Sequence, residues 1–403
     1  MFWYYLFPPL AEFVAAALIY EIFWRPYCRR HRRAKAEICG TIILIMIYVF
    51  GAANFFIRDH HFPSWALWIS GVSVALILIW ALGAAIYGAA ALAWTALVQR
   101  KFLRPIIVPP SFKMAYFIFF FIIYPLLGLW GGAQNPHLMH VTIDLRPARP
   151  HHPSLAPLDF KLVFISDLHL GTWQGSSAYL TKVVHLANQE NPDVVLLGGD
   201  LVDHDHASFL PLLQPLQNLM APGGIYFALG NHECLSPTPH LLEELKTLGV
   251  VPLVNQSVLL NGRLNLAGVG DADCGHWGKD YLPQMPAQLD DEFPTILLAH
   301  RPNLMRDAKF AAVDLALMGH THGGQIEPFS ILPRITNIFF KGLYLRPKIK
   351  ALAENKRDFA FTNTAPSSSS PYSYYYVNQG TGTSGPPMRL LTFSEITVIH
   401  LHF

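Results

Sequence analysis

Apolar positions are spread in two different ways along this chain, and the change falls near residue 135. Upstream they form long runs at residues 2–24, 38–57, 65–98 and 114–130. At about 1.5 Å per helical residue, each run is long enough to cross roughly 30 Å of hydrocarbon. Trp3, Tyr4, Tyr5, Trp24, Tyr27, Trp65, Trp68 and Trp130 stand near the run ends, where interfacial aromatics collect. The first run holds Glu12 and Glu21 and is the weakest. No basic residue precedes it, unlike the pattern of a cleaved signal peptide.

The third run predicts either one helix of about 50 Å or two short spans. Basic loops decide between them. Arg25, Arg29, Arg30, Arg32, Arg33 and Lys35 follow the first run, and Arg100, Lys101 and Arg104 follow the third. The positive-inside rule places both loops in the cytoplasm, so an even number of crossings separates them. The second run plus one long span gives that number. The expectation is a four-span membrane domain over residues 1–134, with the N-terminus and everything after Trp130 outside. Gly83 and Gly88 then read as packing residues. Positive-inside orientation accounts for the basic loops, so no nucleic-acid binding is expected.

Downstream, over residues 135–403, short apolar runs recur between polar or Gly-rich turns, at 162–165, 194–197, 225–229, 264–269, 296–299 and 315–318. Such runs predict strands buried on both faces. Helices are expected between them. Residues 176–189 are amphipathic, with Leu180, Val183, Val184 and Ala187 on one side, and 239–248 end at Gly249, a C-terminal stop. A helix over 209–220 is compromised by Pro211 and Pro215. The pattern is that of an α/β domain.

Composition agrees with a membrane-embedded part joined to a folded one. Of 403 residues, 52% are hydrophobic and 14% charged, against about a quarter charged in soluble domains, which excludes a disordered chain. A net charge of +2 leaves no nucleic-acid footprint. Four cysteines (Cys28, Cys39, Cys234, Cys274) are too scattered for a thiolate zinc site.

The polar residues just past the strands carry the chemistry. Asp167 and His169 follow the first, Asp200 and Asp203 the second, and Asn231, His232 and Glu233 the third. His300 follows the fifth, and His320 and His322 the sixth, in Gly-His-Thr-His-Gly-Gly. Open α/β sheets place sites at the carboxyl ends of strands. Asp, Asn and His gathered there form an oxygen and imidazole donor set suited to Mn, Fe or Zn.

Taken in order, these five segments resemble the calcineurin-like metallophosphoesterase superfamily, whose signature runs D-x-H, G-D-x-x-D, G-N-H-[DE], a lone H and G-H-x-H. Gly323-Gly324-Gln325-Ile326, Lys341-Gly342-Leu343-Tyr344 and residues 376–385 are similar to its membrane-associated bacterial branch, typified by the YaeI and YkuE phosphoesterases. The resemblance runs from about Val141 to the C-terminus. It implies a four-layer fold of two packed mixed β-sheets flanked by helices, and a centre of two divalent ions. One ion would be held by Asp167, His169 and His322, the other by Asn231, His300 and His320, with Asp200 bridging. A carboxylate spans two cations about 3.5–4 Å apart, and the pair activates water and clamps the oxygens of a phosphoester in in-line attack. His232 matches the family's non-ligand histidine, which polarises phosphate or protonates the leaving group. Asp203 is expected to orient a ligand imidazole.

Other features carry less. Residues 380–385 read as a constrained turn, with phosphate cradling as the alternative. Arg301 meets either phosphate or solvent. His204 and His206 read as exposed loop residues. If the domain lies outside, a Cys234–Cys274 disulfide becomes an option. Residues 363–373 read as a low-complexity loop, and the stretch holding His137, His140, His151 and His152 as a proline-stiffened linker. The leading expectation is a membrane-anchored hydrolase of phosphate mono- or diesters or pyrophosphates, acting on a lipid-linked substrate outside the bacterial plasma membrane. The rival is a catalytically silent module whose metals brace a binding surface on a membrane platform.

Overall fold

The computed structural model describes residues 38, 41–49, 64–102, 104, 110–145, 158–171, 176–203, 211–235, 238–347 and 372–403, with isolated positions 17, 20 and 25. The chain divides into two units, Met1–Ala133 with Gly385–Met388, and Gln134–Ser384 with Arg389–Phe403.

In the first unit the third apolar run is one uninterrupted helix, α1 (Ser64–Gln99). The fourth forms α2 (Pro110–Ile118) and α3 (Tyr124–Gly132), joined by a π-helical turn at Phe119–Ile123. Gly83 packs as a small residue should: a methyl added there would sit 3.2 Å from the Phe120 ring. The Tyr116 hydroxyl donates to its carbonyl at 2.6 Å. Two stretches, Trp68–Gln99 and Met114–Gly132, are long and apolar enough to cross a membrane. Residues 41–49 are helical. The rest of the expected span 38–57 and nearly all of span 2–24 lie outside the described residues.

The second unit holds two six-stranded sheets, with strand orders β1-β12-β2-β3-β4-β5 and β10-β11-β9-β8-β7-β6. The first comprises β1 (His137–Asp144), β2 (Asp159–Ile165), β3 (Val194–Leu197), β4 (Ile225–Phe227), β5 (Val250–Pro252) and β12 (Glu395–His402). The second comprises β6 (Gln256–Leu260), β7 (Leu264–Gly268), β8 (Thr295–Leu298), β9 (Leu315–Met318), β10 (Gly342–Pro347) and β11 (Tyr372–Val377). β2 through β5 run parallel, as do β7, β8, β9 and β11. β12 is antiparallel to β2, and the outer strands β6 and β10 are antiparallel to their neighbours. Both sheets are therefore mixed.

The unbroken apolar runs follow from burial on both faces. Alternate residues Leu162, Phe164, Val194 and Leu196 meet Leu264, Leu266, Ile296, Leu298, Leu315 and Leu317 of the other sheet. The intervening Val163, Ile165, Val195 and Leu197 pack on Leu180, Val183, Val184 and Ala187 of α4 (Ser177–Gln189). Ser176 caps α4, its side chain accepting from the Tyr179 amide, and α5 (Thr238–Thr247) ends before Gly249 at φ +79°. Two short helices follow, α6 (Ala308–Ala311) and α7 (Ile331–Thr336). Pro215 stands in a 3₁₀ turn, Gln214–Asn218.

One expectation is corrected. Residues 137–144 are not a linker but strand β1, paired in parallel with β12 along its full length. His140 therefore stands on a sheet edge, 3.2 Å from His400. The signal was masked because β1's partner is the last strand of the chain, and its outward residues are exposed or half-buried. His151, His152, His204, His206 and residues 363–371 lie outside the described residues, while Tyr372 and Ser373 already belong to β11.

Candidate metal centre

The site is built from loops at the carboxyl ends of five strands. Three belong to the first sheet (β2, β3, β4) and two to the second (β8, β9), so the site straddles two sheets rather than one sheet's edge. Glycines let the loops close in. A Cβ on Gly230 would lie 2.2 Å from Asp200 Oδ1, and one on Gly319 would lie 2.2 Å from Asp167 Oδ2. Only a hydrogen fits at either position.

All seven residues read from the sequence as metal ligands fall in these loops. Among the described residues, three groups have ligand atoms close enough together to hold an ion: Asp167, His169 and His322; Asp200, His300 and His320; and His169, Asp203 and His232. Among the seven, Asp167 (φ +56°), His169 (+47°), Asp200 (+53°), His320 (+72°) and His322 (+51°) have left-handed backbone. Each such residue costs about 1–3 kcal/mol, and this strain collects at functional sites. Here it turns the side chains inward from tight turns.

Imidazole nitrogens and carboxylate oxygens crowd together at the centre. His300 donates Nδ1–H to the Gly198 carbonyl at 2.8 Å, which turns Nε2 toward Asp200, 3.1 Å from its Oδ2. His169 gives Nδ1–H to Asp203 Oδ1, and its Nε2 lies 2.9 Å from His322 Nε2. His322 Nε2 is in turn 3.2 Å from Asp167 Oδ1. Asn231 Oδ1 is buried and unpartnered. Oxygen and imidazole donors gathered at these distances fit divalent metal.

Electrostatics agree. Asp167, His169, Asp200 and His300 are almost wholly buried. Burial opposes the charge on Asp167, but His322 and His300 outweigh it and hold the carboxyl well below its usual range. Asp200 is likewise held low against burial, by His300 and His232. Burial pulls His300 down, yet Asp200 and Asp167 drive it up to about 10. Burial and the neighbouring His300 push His320 down to about 3, the neutral form a ligand needs.

Asp203 stands between two imidazoles. Besides the bond from His169, its Oδ1 lies 2.8 Å from His232 Nδ1. His232 is half-buried at the rim, with Nε2 3.9 Å from Asp200 Oδ2. Asp203 thus contacts both the His169 and the His232 rings.

Glu233 is the functional residue that the sequence reading passed over. Fully buried, it accepts from the backbone N–H of Asp200 at 2.9 Å, Leu201 at 2.6 Å and Gly230 at 2.7 Å. It thereby ties the β3 loop to the β4 loop. Burial, reinforced by the Asp200 carboxylate, pushes its carboxyl up to about 7.

The remaining features resolve simply. Thr381 N–H donates to the Ser166 carbonyl and Gly382 N–H to that of Asp167, both at 2.8 Å. The 380–385 turn therefore braces the Asp167 loop instead of cradling phosphate. Arg301 is held by Asp271 at 2.9 Å and by Asp273. Cys234 and Cys274 form a disulfide that pins the β4 loop to the turn Ala272–Trp277. The Cys234→Ser/Cys274→Ser double variant is expected to lose about 2–4 kcal/mol of unfolding free energy, read from urea unfolding as a lower midpoint. A midpoint shift under about 0.5 kcal/mol would mean the loop is held without the bridge.

Residues 160–324 match the family model described as calcineurin-like phosphoesterase. An uncharacterized metallophosphoesterase of Helicobacter pylori is 34% identical over 278 residues, 68% of this chain and 66% of that one. A bovine transmembrane protein with metallophosphoesterase domain is 33% identical over 68% of this chain and 59% of its own length. The phosphodiesterase YaeI of Escherichia coli is 34% identical over 42% of this chain and 66% of its own. The matches thus span just under two thirds of the Helicobacter relative and less of the bovine one.

Proposed function

Because the chain belongs to the calcineurin-like metallophosphoesterases, we propose that it hydrolyses phosphoesters at a centre of two divalent ions beside a membrane. The observation that carries this reading is the convergence of buried ligand atoms into two groups, Asp167 with His169 and His322, and Asp200 with His300 and His320. Asp167, His169 and His322 would hold one ion, Asn231, His300 and His320 the other, and Asp200 both. Ions held there supply the Lewis acidity for attack of water on phosphorus. The protein's part is positional. Asp203 keeps a proton on His169 Nδ1, so that Nε2 faces inward. It also sets His232 at the rim, within reach of a phosphoryl oxygen or a leaving group.

The substrate read for this site is a phosphate mono- or diester or pyrophosphate carried on a lipid. The two membrane-length helices support it, as does the bovine relative's description as a transmembrane protein. The reading places the second unit outside the plasma membrane. The Cys234–Cys274 disulfide favours this, since disulfides persist in oxidising compartments.

The test pairs metal content with turnover. In the full chain loaded with Mn, Zn or Fe, bis-p-nitrophenyl phosphate is expected to be cleaved. His232→Ala is expected to keep its metals and lose about 10²–10⁴ in kcat, the usual worth of a positioned proton donor. A metal-loaded wild type that leaves the diester intact would instead support the silent binding module.

A further inference from the structure

Among its described residues, the second unit carries an exposed apolar patch on α7. On α7, Ile331, Leu332 and Ile335 are 60%, 64% and 73% exposed and lie on one side of a single helical turn. Other exposed aliphatics of this unit, such as Met220 and Val251, are scattered singly, which is ordinary. Three neighbouring side chains on a six-residue helix are not.

Basic residues lie on α7 and in the segment that follows it. Arg334, on the same helix, pairs with Glu327 at 2.7 Å and lies 4.9 Å over the Phe340 ring. Lys341 lies 5.8 Å over that ring, and Arg346 5.0 Å over Phe339. Aliphatic side chains flanked by cations that lean on aromatic faces suit a bilayer interface, where apolar groups enter the acyl boundary and cations meet lipid phosphates.

The patch is tied to the metal-centre loops. Asn303, just past His300, donates to the Thr336 carbonyl at 3.0 Å and accepts from Ile338 N–H at 3.0 Å. Thr321, between His320 and His322, donates its hydroxyl to the Phe340 carbonyl at 2.6 Å. Ser330 lies against Gly324, where an added Cβ would meet its Cβ at 2.2 Å. Whatever holds α7 is therefore held beside the β8 and β9 loops.

We propose that Ile331, Leu332 and Ile335, with Arg334 and Lys341, form a tip that enters the headgroup region of a bilayer and brings the centre to phosphoesters displayed there. The substrate-delivery half of this rests on the phosphoesterase reading; the membrane contact does not. The test uses the full chain in phosphatidylglycerol/phosphatidylcholine nanodiscs, on a Cys28→Ser/Cys39→Ser background. An environment-sensitive fluorophore on Ile335→Cys is expected to emit as in an apolar medium and to be quenched by doxyl-labelled lipid but not by aqueous iodide. Iodide quenching alone, or shielding from both quenchers as under a protein partner, overturns the proposal. In the Ile331→Ser/Leu332→Ser/Ile335→Ser variant, kcat/KM for a lipid-borne phosphodiester is expected to fall about tenfold or more, the equilibrium worth of one buried aliphatic side chain. Turnover of bis-p-nitrophenyl phosphate stays unchanged. Equal turnover of the lipid substrate by variant and wild type overturns the delivery role. A wild type inactive on both substrates counts against the phosphoesterase reading alone, since the quenching result stands apart from it.

Discussion

Asp200→Asn is expected to abolish turnover and strip the centre of metal, with no loss of fold. Asp200 lies at the crossing of the site's distances. Its Oδ2 is 3.1 Å from His300 Nε2, 3.8 Å from His169 Nε2 and 3.9 Å from His232 Nε2. Its Oδ1 accepts from the His232 amide at 2.9 Å. Asparagine keeps the size and that one acceptor, but it removes the charge that the proposed centre would share between its two ions. The loss shows without any assay of hydrolysis. Metal at 100 times its dissociation constant stabilises a protein that binds it only when folded by about 2.7 kcal/mol. Added Mn should therefore raise the melting temperature of the wild type and leave that of Asp200→Asn unmoved. Metal-free, the variant should be less stable than the wild type at neutral pH, because the carboxylate that His300 and His232 hold below its usual range is gone and His300 loses its partner. A variant that still gains stability from Mn and still cleaves phosphodiester would remove Asp200 from the centre of the mechanism.

What the sequence disclosed and what it hid divide by distance along the chain. Asp167, Asp200, Asn231, His300 and His320 each stand just past an apolar run, so strand and ligand are legible together. The strands β2, β3, β4, β7, β8 and β9 are likewise local signals, because burial on both faces leaves each with a short, mostly apolar run. Strand β1 was hidden because only its pairing with β12 makes it a strand. Glu233 was visible as a motif letter, but its partners are amides of the preceding strand's loop, and no pattern within Gly-Asn-His-Glu announces them. The left-handed turns at five ligands were equally silent, since Asp and His reveal no backbone angle by their identity. The Cys234–Cys274 bridge could be posed as an option, but its geometry arises from two loops brought together by different sheets.

Arg389 was silent as well, and its loss is expected to be the most damaging to the fold. It stands between Met388 and Leu390 in a stretch with no motif, and it is 1% exposed. Its guanidinium spends its donors on backbone carbonyls. Nη1 reaches His322 at 3.2 Å and Phe393 at 3.0 Å, and Nη2 reaches Gln379 at 2.9 Å, Gly380 at 2.9 Å and Gly382 at 2.7 Å. Burial lowers its pKa only to about 10, so the charge remains at neutral pH. One side chain thus fastens the 379–382 turn, which braces the Asp167 loop, to the backbone of His322. Arg389→Met would fill the volume and leave five carbonyls without this donor. Each buried acceptor left unpaired costs about 1–3 kcal/mol, and with partial relaxation the total should reach at least about 4 kcal/mol. The measurement is the urea midpoint of the metal-free chain, where effects on metal affinity cannot contribute. Arg389→Lys should recover little of the loss, because an ammonium cannot fork between carbonyls on opposite sides as a planar guanidinium does. A methionine variant within about 1 kcal/mol of wild type would mean that the turn keeps its shape without the cation, and that the strained backbone of Asp167 and His322 is held by the sheets alone.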